Sequence, residues 1–306
     1  MHVALQPNEA TSSPSHQARA LPDGRVNAMS VDVEEHFQVH AFARTITRDD
    51  WPTHESRVER NTDRVLSIFA DHGVKSTFFV LGWVAERHPA LIRRIVQQGH
   101  ELASHGYCHI RADRQAPEDF REDVRRTKGL LEDAGGVQVN GYRAASFSIN
   151  RSNWWAFDVL AEEGYHYSSS VFPVHHDQYG VPDAPRDPFA PSAKAPGLLE
   201  LPMSTVRVLG QNLPCSGGGY FRLFPYAAFS MAVRRLNRAE RRPCMFYFHP
   251  WEIDLDQPRI PGAGLKSNLR HYTNLGRMEG KLRRLLRDFA WDRVDRVYRL
   301  ETAARA

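Results

Sequence analysis

MSVDVEEHFQ, residues 29–38, sets Asp32, Glu34, Glu35 and His36 among valines and a phenylalanine. Val31, Val33 and Phe37 fit the alternation of a strand with one buried face. Successive strand side chains point to opposite faces, so Asp32 and Glu34 would share the other side. Two carboxylates held that close repel each other. A chain that places them at the end of a buried strand has two reasons to do so: the pair shares a proton, or it shares a cation.

Outward from this stretch, strand-like and helix-like segments alternate. RVERNTDRVLSIFADHG (57–73) has apolar residues at helical spacing and stops at a glycine, and KSTFFVLG (75–82) reads as a second buried strand. WVAERHPALIRRIVQQG (83–99) reads as helix and HELASHG (100–106) as a third strand with its exit turn. The amphipathic PEDFREDVRRTKGLLEDAGG (117–136) and NWWAFDVLAEEG (153–164) separate two more strands, VNGYRAASFS (139–148) and YHYSSSVF (165–172). Residues 173–197, rich in Pro, Asp and Gly, predict a long loop. Beyond it come LLELPMSTVRV (198–208), the helical PYAAFSMAVRRLN (225–237) and a last strand, PCMFYFHP (243–250). This alternation implies an α/β fold with a parallel sheet, and so many units favour a barrel over an open sheet. In such barrels the C-terminal strand ends carry the chemistry.

Composition bounds the function. Of 306 residues, 42% are hydrophobic, enough for a real core, and the formal net charge is +4. Basic runs such as KLRRLLRD (281–288) alternate with leucine as one solvated helix face does. No denser basic stripe with a supporting motif points to nucleic acid. No apolar run approaches the ~18 residues of a membrane span. Cys108, Cys215 and Cys244 cannot all pair, and their spacing matches neither a disulfide framework nor a zinc knuckle. The N-terminal residues lack the apolar core of a secretion signal and read as a polar tail. The setting expected is cytoplasmic, with peripheral association at the inner membrane left open.

Four clusters fall at the expected strand ends: Asp32 with Glu34; His105 and His109 in SHGYCH; Arg143 in GYRAASF; and His249 in FYFHPWE. Two imidazoles and one carboxylate are the ligand set of a catalytic zinc. Glu34, His105 and His109 can therefore hold the metal while Asp32 stays free as general base for the attacking water. Arg143 would be a fixed positive charge orienting Asp32. His249 would be the general acid that an amine leaving group requires.

Together the clusters resemble the polysaccharide deacetylase family of chitin, peptidoglycan and nodulation-factor deacetylases. The order of motifs is the family's, with spaced acids (SVDVEE) in place of the adjacent pair most members carry. The resemblance implies Asp32 as base, Glu34, His105 and His109 as ligands of Zn2+ or another divalent metal, Arg143 as tether and His249 as acid. It also implies the backbone N–H of Ser146 as oxyanion donor. NAMSVDVEEHFQV, STFFVLGWVAERHP, GHELASHGYCH, SGGGYFRLFPY, YFHPWEID and HYTNLGRM look like one subgroup, found in exopolysaccharide gene clusters of bacteria with a C-terminal protein-sorting system. The architecture so implied is a distorted, partly open (β/α) barrel of about seven strands with a C-terminal helical extension. The expected division is a tail over 1–26, the catalytic barrel over 27–253 and the extension over 254–306.

This chain departs from the family at three points. Ala145 stands where the arginine motif usually has proline. Ser168 replaces an aspartate that could orient the acid histidine, and no other group in the sequence stands out for that task. Glu34 is a methylene longer than the usual ligand, and Glu35 competes with it, with Glu34 favoured on side-chain direction. SGGGYFR (216–222) is a tight loop or a substrate floor on which Tyr220 and Arg222 bind the sugar. Trp251 walls the acetyl pocket or belongs to the core. The activity expected is metal-dependent removal of N-acetyl groups from an oligo- or polysaccharide. Hydrolysis of a non-sugar amide and silent glycan binding are the alternatives, and an oligomer is left open.

Overall fold

The computed structural model describes residues 25–300, so residues 1–24 of the tail expected over 1–26 lie outside the described residues. Order begins at the first strand, β1 (Val26–Val33). There follow α1 (Val58–His72), β2 (Thr77–Val80), α2 (Gly82–Arg87), α3 (Pro89–Gln97), β3 (Glu101–Ser104), α4 (Pro117–Gly135), β4 (Gly141–Tyr142), α5 (Ala156–Glu162) and β5 (Tyr167–Ser168). The second half has β6 (Leu199–Glu200), β7 (Thr205–Val208), β8 (Gln211–Pro214), α6 (Gly218–Leu223), α7 (Tyr226–Arg238) and β9 (Met245–Phe248). It closes with α8 (Leu265–Tyr272), α9 (Leu275–Asp288), β10 (Ala290–Asp292) and α10 (Val294–Val297).

Seven strands run parallel in the order β9, β1, β2, β3, β4, β5, β6, a sheet curled into a half-barrel with helices outside, as the alternating pattern predicts. The block after residue 253 is not wholly helical, because β10 returns to pair parallel with the start of β1. Three residues are too few to show a period of their own inside a helical sequence. β7 and β8 form a separate antiparallel hairpin.

The pleat of β1 fixes the site. Met29, Val31 and Val33 pack outward against the helices. Ala28 packs with the interior residues Phe79, Ala103 and Tyr167, and Ser30 and Asp32 share its side because the strand period is two. α1 ends as its glycine predicts, with Gly73 left-handed at φ +63° and donating to Ala70 and Phe69. Arg57, at the head of α1, donates to both oxygens of Asp254 at 2.7 and 3.0 Å. That buried fork anchors the turn following β9.

Candidate active site

The carboxyl ends of β1, β3, β4 and β9 open on one pocket of about 220 Å³, lined by Asp32, Glu34, His105, His109, Ser146, His249 and Trp251 among others. Arg143, fully buried, reaches under it from the end of β4. Its guanidinium donates to Asp32 Oδ1 at 2.6 Å, Ser30 Oγ at 2.9 Å and the Ser169 carbonyl at 3.2 Å, and lies 4.0 Å from the centre of the Phe79 ring. A planar fork held on all sides orients the carboxylate as a flexible lysine would not.

Glu34 Oε2 is buried without a hydrogen bond, 3.1 Å from His109 Nε2. His105 Nδ1 lies 2.8 Å from the Arg143 carbonyl, which can only accept, so Nδ1 carries the proton and Nε2 keeps its lone pair. Burial pushes both imidazoles below the usual histidine range, so they stand neutral. Burial also pushes the Glu34 carboxyl up to about 7, against the pull of His249 and with a further push from Asp32. One donor atom from each of Glu34, His105 and His109 falls within 4.8 Å of the others, the sole such trio among the described residues. An orphaned carboxylate oxygen facing two neutral imidazoles fits a divalent cation.

Glu35, the rival ligand, points elsewhere. It accepts from Ser56 Oγ at 2.6 Å and from the backbone N–H of Arg57 and Val58 at 2.9 and 3.1 Å. It thus satisfies the N-terminus of α1, where a negative charge is favoured.

The group that sequence reasoning missed is Glu252. Its Oε1 lies 2.9 Å from His249 Nδ1 and accepts the His249 N–H at 3.0 Å, while Oε2 accepts from Arg222 Nε at 2.7 Å. Burial opposes charge on His249, but the bond to Glu252 and the nearby Glu34 raise the imidazolium to about 9. Arg222 and His249 in turn keep the Glu252 carboxyl below its usual range despite burial. Ser168 takes no part in this and donates to Ser170 Oγ at 2.8 Å. The available signal was the spacing His249-x-x-Glu252, which puts a carboxylate one helical turn on from the imidazole.

Arg222, expected to bind the sugar, is buried at the wall of the pocket, with Nη1 donating to the carbonyls of His271 and Thr273 at 2.8 and 2.6 Å and Nη2 to that of Arg270 at 3.1 Å. Its Nε holds Glu252. Tyr220 lines a neighbouring cavity of about 670 Å³ and lies 3.3 Å, oxygen to oxygen, from Tyr179, which lines the catalytic pocket. Trp251 is sandwiched between His249 and His271, with ring centres 5.0 and 4.0 Å away. Ser146 occupies the left-handed region at φ +56°, a conformation that costs an ordinary residue about 1 kcal/mol.

Residues 40–167 match the family model for polysaccharide deacetylase, and residues 169–299 match a domain of unknown function (DUF3473). A chitooligosaccharide deacetylase of Sinorhizobium fredii is 52% identical over 99 residues, 32% of this chain and 44% of that protein. A peptidoglycan-N-acetylglucosamine deacetylase of Bacillus cereus is 32% identical over 131 residues, 39% of this chain and 46% of that protein. The chain thus spans less than half the length of these curated relatives. A solved structure from Mycobacterium smegmatis, named as a candidate polysaccharide deacetylase, superposes with a TM-score of 0.58 at 21% identity, covering 99% of this chain and 96% of that one. It shares the fold.

Proposed function

We propose that this chain is a metal-dependent hydrolase that removes N-acetyl groups from amino sugars of a bacterial exopolysaccharide or its precursor. One observation carries the reading: three inward donors, Glu34, His105 and His109, meet in one pocket with a second carboxylate, Asp32, that Arg143 holds. A divalent cation bound by those three, zinc in the first instance, would polarise the acetyl carbonyl and relieve the repulsion between Glu34 and Asp32.

The chain's own residues would do the rest. Asp32, gripped at Oδ1 by Arg143, takes the proton of the attacking water. As the water oxygen adds to the carbonyl carbon, the Ser146 N–H donates to the oxyanion that develops. His249 Nε2 then gives its proton to the amine as the C–N bond breaks, with Nδ1–H held on Glu252 throughout. Acetate and a free amino sugar leave. Trp251, stacked on His249, walls the pocket. The polymer is suggested by the exopolysaccharide-type sequence blocks, and the N-acetylated hexosamine by the names of the relatives.

Acetate release from N-acetylhexosamine oligomers tests the reading. Chelator-treated protein is expected to fall to background and recover on addition of zinc. Undiminished release from metal-free protein would contradict it.

A further inference from the structure

The β7–β8 hairpin stands apart from the barrel sheet, and its two-residue loop is Leu209 and Gly210. Both have positive φ, +48° and +80°, as a tight hairpin turn requires, and such turns favour Asn or Asp followed by Gly. Here the first position is a leucine, strained by its backbone and 99% exposed. Val208 and Leu213 beside it are exposed as well. Nothing in the barrel explains an apolar residue at the tip of a projecting turn, where asparagine would relieve the strain.

The hairpin lies against α7. Arg235 Nη2 donates to the Arg207 carbonyl at 2.8 Å, and Leu209, Arg207 and Arg235 line one shallow depression. Met231, one turn before Arg235 on the same helix face, is 64% exposed. Apart from the buried Arg222, residues 201–243 contain six arginines and one acid, Glu240: a net +5 in a chain whose total is +4. Glu240 pairs with Arg186, and Asp187 pairs with Arg242. No acid among the described residues is paired with Arg207, Arg234 or Arg241.

We infer that the tip of the β7–β8 hairpin and the outer face of α7 dock on an anionic lipid bilayer. Apolar side chains standing proud of a basic surface suit the headgroup boundary, where leucine enters the acyl region and arginines meet the lipid phosphates. The charge argues for this occupant over a second copy, because two such surfaces would bring like charges together. The inference rests on this surface alone and not on the hydrolase reading.

Flotation of the full chain with phosphatidylcholine vesicles, with and without phosphatidylglycerol, tests it. Binding is expected only with the anionic lipid, and is expected to weaken as salt rises. Arg207→Ala with Arg241→Ala is expected to reduce partitioning roughly twenty-five-fold, taking about a fivefold factor per arginine. Leu209→Asn is expected to reduce it at least roughly tenfold, the factor for one leucine withdrawn from an apolar phase. The same change relieves the turn, so Tm rises while acetate release from a soluble oligomer stays unchanged. Failure of the full chain to bind anionic vesicles at low salt would overturn the inference, as would wild-type binding by both variants. Dimerisation abolished by Leu209→Asn, without vesicle binding, would assign the surface to a second copy instead.

Discussion

His249 can present Nε2 to the pocket because Nδ1 is held on Glu252, a carboxylate itself fixed by Arg222. Truncating such a group would leave Arg222 buried without its counter-ion and confuse catalysis with folding. Glu252→Gln keeps the shape and removes the charge that favours the protonated imidazole. It is expected to lower kcat by about a hundredfold, the smaller end of what a positioned acid contributes, with KM little changed because both carboxylate oxygens of Glu252 are already engaged by His249 and Arg222. Steady-state acetate release measures both. An unchanged kcat would show that His249 needs no such partner.

The loop from Ser216 and the start of α6 form the element that makes this arrangement possible. The sequence suggests that its glycines let the chain approach a sugar, but two of them yield space to the protein itself. A Cβ on Gly217 would come within 2.8 Å of the Tyr247 ring, and one on Gly218 would overlap both carboxylate oxygens of Glu252. Only Gly219, with nothing within 4 Å, is open, and it lines the pocket. Gly218→Ala is therefore expected to displace Glu252 and depress kcat as Glu252→Gln does. It should also destabilise the fold by about 1–3 kcal/mol, as overpacking of a filled interior does. Gly219→Ala should do neither. Acetate release and urea denaturation of the two variants check this, and a Gly218→Ala protein as stable and active as Gly219→Ala would contradict it.

At the scale of the molecule, the half-barrel brings to one rim residues that the sequence keeps more than 200 positions apart. Strand and helix periods made most of that legible, since Asp32 lies near the end of a strand and His105, Arg143 and His249 each directly follow one. What stayed hidden depends on contacts with no local signature. Arg222 and Glu252 meet across 30 residues, Glu35 turns away to the α1 N-terminus, and β10 is too short to show a strand period. The central claim is a division of labour between two acids at the end of β1, Glu34 just past the strand toward the histidines and Asp32 within it toward Arg143. The most direct test is an anomalous difference map, at the zinc edge, of crystals grown with saturating zinc. The expected peak lies within bonding distance of Glu34, His105 and His109, with Asp32 still on Arg143. A peak elsewhere, or one coordinated by both carboxylates, would contradict the account.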